Sequence, residues 1–276
     1  MSDSRRVALD ALIRIEEGAY AHLALPQMLT RSGLAPRDRG FATELVYGAV
    51  RMQRAVDYQL AKVCNRPLDS LEPVVRAALR LGAYQLLVGT AEHAAVGETV
   101  GAVPERARGF VNGVLRGAVR ARPWTWPPPT DTEGIGVRTS HPDWIVDLLV
   151  HEFGREDALA TLALDDEAPP VTLRVNQRRA TVGDVAAELT ATGATVERGA
   201  LVADALVVRD AGDIGALACV REGRASAQDQ ASQAVVALLG AQPGECVFDA
   251  AAAPGGKAAA IAEGIDDGGL VVAADL

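Results

Sequence analysis

Apolar residues recur every three or four positions through the first 120 residues, the spacing that lines up one face of a helix. Val7, Ala8, Ala11, Leu12 and Ile15 form a first stripe. Phe41, Leu45, Ala49, Met52, Val56, Leu60 and Val63 form a longer one, read as a single helix. Pro73 stands where a first-turn proline belongs, and Val74, Val75, Ala78, Leu79, Leu86 and Leu87 continue as a helix behind it. Phe110, Val111, Val114, Leu115, Ala118 and Val119 make another. Short polar or Gly/Pro breaks separate the stripes, which predicts an all-α bundle over residues 1–122.

A Pro-rich linker is expected over 123–141, because Arg122-Pro123-Trp124-Thr125-Trp126-Pro127-Pro128-Pro129 suits neither a helix interior nor a central strand. Its two tryptophans would either pin the linker to a neighbouring domain or stack on bases. From Ser140 the pattern becomes mixed. A helix starts at Ser140-His141-Pro142-Asp143 and a second covers about 155–165. Val171–Asn176, Ala194–Val196 and Ala205–Val208 read as strands. Thr181 caps a helix that Gly193 ends. These elements predict a small α+β domain over 142–224.

Residues 225–276 follow a third pattern. A helix spans Ala231 to Leu239, and Glu245–Asp249 reads as a buried strand with Cys246 as a core residue. A small-residue loop, a helix from Lys257 to Glu263 and a strand over Gly269–Asp275 complete one βαβ unit. The fold class is therefore multidomain: a helical bundle, a small α+β domain, then the first βαβ unit of a Rossmann-like α/β domain.

Charge changes the picture of the bundle. The whole chain carries −9, but residues 1–130 hold 17 Lys and Arg against 12 Asp and Glu, and the rest hold 10 against 24. A front of +5 on a body of −14 suggests that the front meets a polyanion. All but Lys62 and Lys257 of these cations are arginine, which suits bidentate phosphate contacts, although an alanine- and arginine-rich composition would also produce them. Arg37, Arg39, Arg51 and Arg54 on the long helix are the candidate RNA contacts; the alternative is a solvated face. No apolar run approaches the roughly 20 residues of a membrane span. Three scattered cysteines and no C-x-x-C pattern argue against zinc and disulfides, so no metal and a cytoplasmic location are expected.

The chemistry concentrates in Asp249-Ala250-Ala251-Ala252-Ala253-Pro254-Gly255-Gly256-Lys257. A strand ending in an acid, a glycine turn and a helix N-terminus open a nucleotide site. Asp275, 26 residues after Asp249, ends the next strand where a ribose diol would lie. Ala251 and Ala258 replace the first Gly and the Ser/Thr of a P-loop, and Pro254-Gly255-Gly256 fits G-x-G-x-x-G poorly. An S-adenosylmethionine site, with no phosphate to cradle, fits better; a plain βα turn is the competing reading.

Ala252-Ala253-Pro254-Gly255-Gly256-Lys257 resembles the cofactor motif of the Sun/Fmu (NOL1/NOP2/Sun) family of RNA cytosine-5 methyltransferases. Ser226-Ala227-Gln228-Asp229-Gln230-Ala231-Ser232 resembles the element before it, and Ser140–Trp144 with Arg174-Val175-Asn176 resembles the family's middle region. Phe110-Val111-Asn112-Gly113-Val114-Leu115 resembles the NusB-like RNA-binding domain of the bacterial 16S ribosomal RNA type. The resemblance implies a NusB-like bundle over 1–122, an RRM-like middle domain, and the N-terminal part of a methyltransferase domain over 225–276. It implies S-adenosyl-L-methionine held at Ala251, Ala252, Ala253, Pro254, Gly255, Gly256 and Lys257, with Asp275 at the ribose. It also implies an accessible cytidine of 16S-like ribosomal RNA as substrate, attacked by a cysteine thiolate.

That thiolate sits in Pro-Cys contexts in the family, and no Pro-Cys occurs in this sequence. No catalytic residue is assigned. The expectation is a truncated gene product, inactive alone and able to self-associate through an incompletely covered sheet. The alternative function is a non-catalytic NusB-like RNA-binding protein of the transcription-antitermination type; a nicotinamide-dependent oxidoreductase is disfavoured by the turn.

Overall fold

The apolar stripes of the first part fold as helices, with two further helices between them, in the order α1 (Asp3–Glu16), α2 (Ala21–Arg31), α3 (Pro36–Arg51), α4 (Gln53–Ala61), α5 (Pro73–Leu87), α6 (Glu92–Ala102) and α7 (Glu105–Arg120). The computed structural model of the chain describes residues 3–166 and 169–276. By its contacts the chain falls into two compact units, residues 1–168 and 169–276.

In the first unit α5 is the central helix. Pro73 opens it at the first turn, and Ala77 through Leu86 are all buried. Leu9 and Leu12 of α1, Leu45 and Ala49 of α3, Val56 and Leu60 of α4 and Val111 and Leu115 of α7 close around it. Helix α3 approaches so closely at Gly48 that a Cβ there would overlap the Tyr84 ring. The Tyr84 hydroxyl donates to Glu44 at 2.5 Å beside this crossing. A second polar feature enters the same core. Arg80, 8% exposed, binds Glu16 on α1 and Asp57 on α4, and Arg76 shares Glu16. Burial pushes the Asp57 carboxyl up, while its pairing with Arg80 pulls it down.

Two expectations for the bundle change. The stripe from Phe41 to Val63 is two helices, because Met52 leaves helical dihedrals (φ −89°, ψ 16°) between α3 and α4. Helices α2 and α6 were not expected; α6 carries no clear stripe, because Ala, Gly, Val and Thr are mixed around its circumference.

The expected linker is also structured. Trp124 packs against the bundle core and donates its Nε1–H to the Ala118 carbonyl at 2.9 Å. Asp131 then caps a short helix, α8 (Thr132–Arg138), by accepting from the Gly134 amide. The prolines stop at Pro129, so nothing prevents helix beyond them. Helix α9 (Asp143–Asp165) is broken at Gly154, whose φ of 78° needs glycine, so it forms the two helices expected there. Ile135 of α8 and Val146 and Leu162 of α9 form a small core of their own.

The second unit contains β1 (Val171–Val175), α10 (Val182–Ala191), β2 (Thr195–Arg198), β3 (Ala205–Arg209), α11 (Ala218–Arg221), β4 (Ala225–Ala227), α12 (Gln230–Leu239), β5 (Cys246–Asp249), α13 (Gly256–Gly264) and β6 (Leu270–Ala273). Four strands form an antiparallel sheet in the order β2-β3-β1-β4. Leu173, Val175, Leu206 and Val208 face Val185 and Leu189 of α10, which Thr181 caps as expected. The expected domain boundary at 224 lies one residue ahead of β4, which pairs with β1 from Leu173 to Val175.

β5 and β6 pair in parallel, with Asp249 opposite Ala273. β5 was expected to be buried and is not. Alternation puts Cys246 and Phe248 of β5 on one face with Leu270 and Val272 of β6, and that face is open; Phe248 is 66% exposed. Cys246 is accordingly an exposed residue, a correction to its reading as core. Helix α13 buries Ala258, Ala260 and Ile261.

Candidate functional site

The loop between β5 and α13 is built by backbone hydrogen bonds that pull the end of β6 over it. The Ala274 amide donates to the Asp249 carbonyl at 2.8 Å, and the Ala252 amide donates to the Ala274 carbonyl at 3.0 Å. Asp275 then accepts from the Ala253 amide through Oδ2 at 2.7 Å and from the Leu276 amide through Oδ1. The two acids picked out from sequence are thus brought to one loop: Asp249 at its start, Asp275 across it. Asp249 Oδ1 accepts from the Ala251 amide at 3.2 Å, while its buried Oδ2 has no hydrogen-bond partner.

The loop closes with the Gly255 amide donating to the Ala252 carbonyl at 2.6 Å. Gly255 has φ +101°, a conformation that excludes other side chains, and a Cβ there would meet nothing within 4 Å. Helix α13 starts at Gly256 with no side-chain cap, so its first-turn N–H groups face outward. Ala251, Ala253 and Pro254 are exposed, Ala252 is buried, and Gly255, Gly256 and Lys257 are half-buried.

These features fit the amino-acid and ribose portions of a nucleoside-like cofactor. Uncapped amides and a bare Cα surface allow close approach, and the orphaned Asp249 oxygen is an acceptor awaiting a donor. No phosphate cradle is present in the loop, and no cluster of His, Cys, Asp or Glu among the described residues could hold a metal. The loop sequence itself, residues 249–257, holds no cysteine. Cys219 is fully buried, and burial pushes its thiol up, away from the thiolate. Cys64 is half-buried in the bundle.

The four arginines divide. Arg37 is exposed in the first turn of α3, and Arg39, two residues on, is half-buried. Arg51 donates to the Asp166 carbonyl at 3.3 Å. Arg54 donates to the His141 carbonyl at 2.5 Å and pairs with Asp143 at 2.7 Å. Arg51 and Arg54 are thus engaged within their own unit, and Arg39 too has a partner.

Two family models match the chain: the NusB family over residues 2–120, and the ferredoxin-like domain of RsmF/B-like methyltransferases over residues 141–215. Among curated proteins, the chain is 36% identical to the Bacillus subtilis (strain 168) protein named "Probable ribosomal RNA small subunit methyltransferase B", over 99% of this chain and 62% of that protein. It is 34% identical to ribosomal RNA small subunit methyltransferase B of Pseudomonas putida, over 99% and 63%. The chain thus carries a NusB-family region and the ferredoxin-like region of RsmF/B-like methyltransferases, and it is similar along nearly its whole length to proteins named ribosomal RNA small subunit methyltransferase B. It spans about six tenths of the length of the curated relatives it matches. The crystal structure of PH0851 shares the fold, with a TM-score of 0.78 and 21% identity over 98% of this chain and 62% of that one. No described helix is long and apolar enough to cross a membrane.

The Ser140-His141-Pro142-Asp143 motif has a structural role that the sequence did not suggest. Ser140 Oγ accepts from the Arg54 and Ala55 amides at 3.1 and 3.4 Å, so it caps α4 from 86 residues away. His141 and Asp143 hold the Arg54 side chain beside that cap. The only sequence signal was a serine before a Pro-Asp helix start, which reads equally well as a cap for its own helix.

Proposed function

We propose that this chain provides the RNA-recognition bundle and the cofactor loop of an S-adenosyl-L-methionine-dependent ribosomal RNA methyltransferase directed at carbon 5 of a cytidine in 16S-like RNA. The observation that carries the reading is the Asp249–Lys257 loop: uncapped first-turn amides, a left-handed Gly255 and an unsatisfied Asp249 oxygen, with Asp275 drawn over it. When bound, the cofactor supplies an electrophilic methyl group on sulfur. Gly255 and Gly256 would let its amino-acid portion meet the backbone, Asp249 Oδ2 would accept from its ammonium group, and Asp275 would face the ribose hydroxyls. Arg37 and Arg39 of the bundle would meet RNA phosphates, with the target base presented from a single-stranded segment.

None of the three cysteines stands in a Pro-Cys context: Cys219 is buried, Cys64 belongs to the bundle, and Cys246 starts β5. The 276-residue polypeptide is therefore expected to bind S-adenosylmethionine without transferring its methyl group. Equilibrium binding of labelled cofactor, with and without Asp275→Ala, tests the first half. Loss of Asp275 should weaken binding about tenfold, as for one charge-assisted hydrogen bond. Incubation with 16S RNA fragments tests the second half, and product methylcytidine would overturn it.

A further inference from the structure

Outside the loop itself, the second unit contains one other buried side-chain polar atom that lacks a partner among the described residues: Nε2 of Gln228. Every other polar group of this glutamine is fixed. Its amide donates to the Thr172 carbonyl on β1 at 3.0 Å, and its carbonyl accepts from Gln233 Nε2 at 2.8 Å. Its side-chain Oε1 accepts from Arg174 Nε at 2.7 Å. A guanidinium can only donate, so this contact fixes which end of the amide is oxygen. Nε2 is thereby turned towards Gly256, where a Cβ would lie 3.5 Å from it. The side chain rests on the bare Cα of the first residue of α13.

Arg174 also holds the far end of the same helix. Its two terminal nitrogens pair with both carboxylate oxygens of Glu263, one residue before α13 ends. Helix α13 has nine residues, a length of about 13 Å. One side chain of β1 thus reaches both ends of the cofactor helix, directly at Glu263 and through Gln228 at Gly256. The Arg174 side chain is only 13% exposed, and all three of its guanidinium nitrogens are used.

We propose that Gln228, oriented by Arg174, is a positioning residue for the cofactor loop, so that the four-stranded antiparallel sheet sets the geometry of a site that lies in the βαβ unit. The inference rests on reading Asp249–Lys257 as the cofactor loop. It gives the loop a support that its own two strands do not supply, because β5 and β6 leave one face open. A supporting shell of this kind decides whether a site is held tightly enough to bind.

Amide hydrogen exchange on the full chain, without cofactor, tests the proposal. Gln228→Leu keeps the bulk and removes both polar groups; it should speed exchange of the hydrogen-bonded loop amides 251, 252, 253 and 255 about tenfold, a 1.4 kcal/mol loss of local protection. The amides of β1, β3 and α10 should keep their rates. Gln228→Glu retains the acceptor for Arg174 and should restore slow exchange in the loop. Glu263→Gln should loosen residues 260–264 and leave 251–255 as they were. Unchanged loop exchange in Gln228→Leu overturns the proposal, and so does uniform loosening of the whole unit. Adding S-adenosylmethionine to the unsubstituted protein is a separate arm. Failure to slow exchange at 251–258 would overturn the cofactor reading while leaving the mechanical result intact.

Discussion

Single residues differ sharply in how far their neighbours in sequence disclose their work. The positions of Asp249 and Asp275 were legible because a strand-loop-helix-strand pattern places its own acids: Asp249 ends β5 and Asp275 lies two residues past β6. Arg54 was not, because its partners lie at residues 140 to 143 and no periodicity links them. Asp166 was equally hidden. Burial pushes its carboxyl up to about 6, the charge of Asp165 adds to this, and His141 and Arg51 pull it down. An acid with a raised folded-state pKa binds its proton more tightly when folded, so stability falls as pH rises from about 4 to about 6 and stays lowered above. Asp166→Asn should therefore be more stable than the unsubstituted protein at pH 8, by about 1 kcal/mol after allowance for solvent screening. The difference should close as the pH approaches 4. Urea midpoints at the two pH values check this, and a gap that widens in acid would refute it.

At the scale of elements, periodicity worked where one face is apolar and the other polar. Helices α1, α5 and α7 appeared as stripes, and β1 and β3 as short apolar runs. Helix α6 did not, since alanine and glycine serve on both faces, and three-residue β4 is too short to show alternation. The Phe41–Val63 stripe gave the right buried face but one helix too few, because Met52 breaks the backbone without breaking the face presented to α5. Helix packing also explains a glycine that sequence alone would mark as a defect. Gly48→Ala should force α3 away from the Tyr84 ring and cost about 1–3 kcal/mol, the range for overpacking a tight core. Thermal unfolding measures the loss. The same substitution at Gly113, where a Cβ meets nothing within 4 Å, should be neutral or stabilising.

Over the whole molecule, charge is divided more clearly than composition suggests: +5 in residues 1–130 and −14 beyond. The net value of −9 conceals this, and the salt response exposes it. Binding of single-stranded 16S-derived RNA to the full chain should weaken with salt, log K falling by about 0.7 per phosphate contacted for each unit of log salt. Arg37→Ala should flatten that slope by roughly one contact. Arg54→Ala should leave the slope alone and lower stability instead, since its guanidinium is already held by His141 and Asp143. Filter binding at a series of salt concentrations separates the two outcomes.

The cap that Ser140 places on α4 bears on the order in which the chain acquires structure. Helix α4 lies in the middle of the bundle, yet the hydroxyl that satisfies its first amides arrives only after 86 further residues. A polypeptide emerging residue by residue would hold the whole bundle sequence before that helix could close its N-terminus. A fragment cut at residue 122, the boundary suggested by the bundle's stripes, would carry the helices but leave α4 frayed and Arg54 without its partners. Its cationic surface would then exceed that of the same residues in the intact chain, and RNA affinities measured on it would overstate the bundle's own.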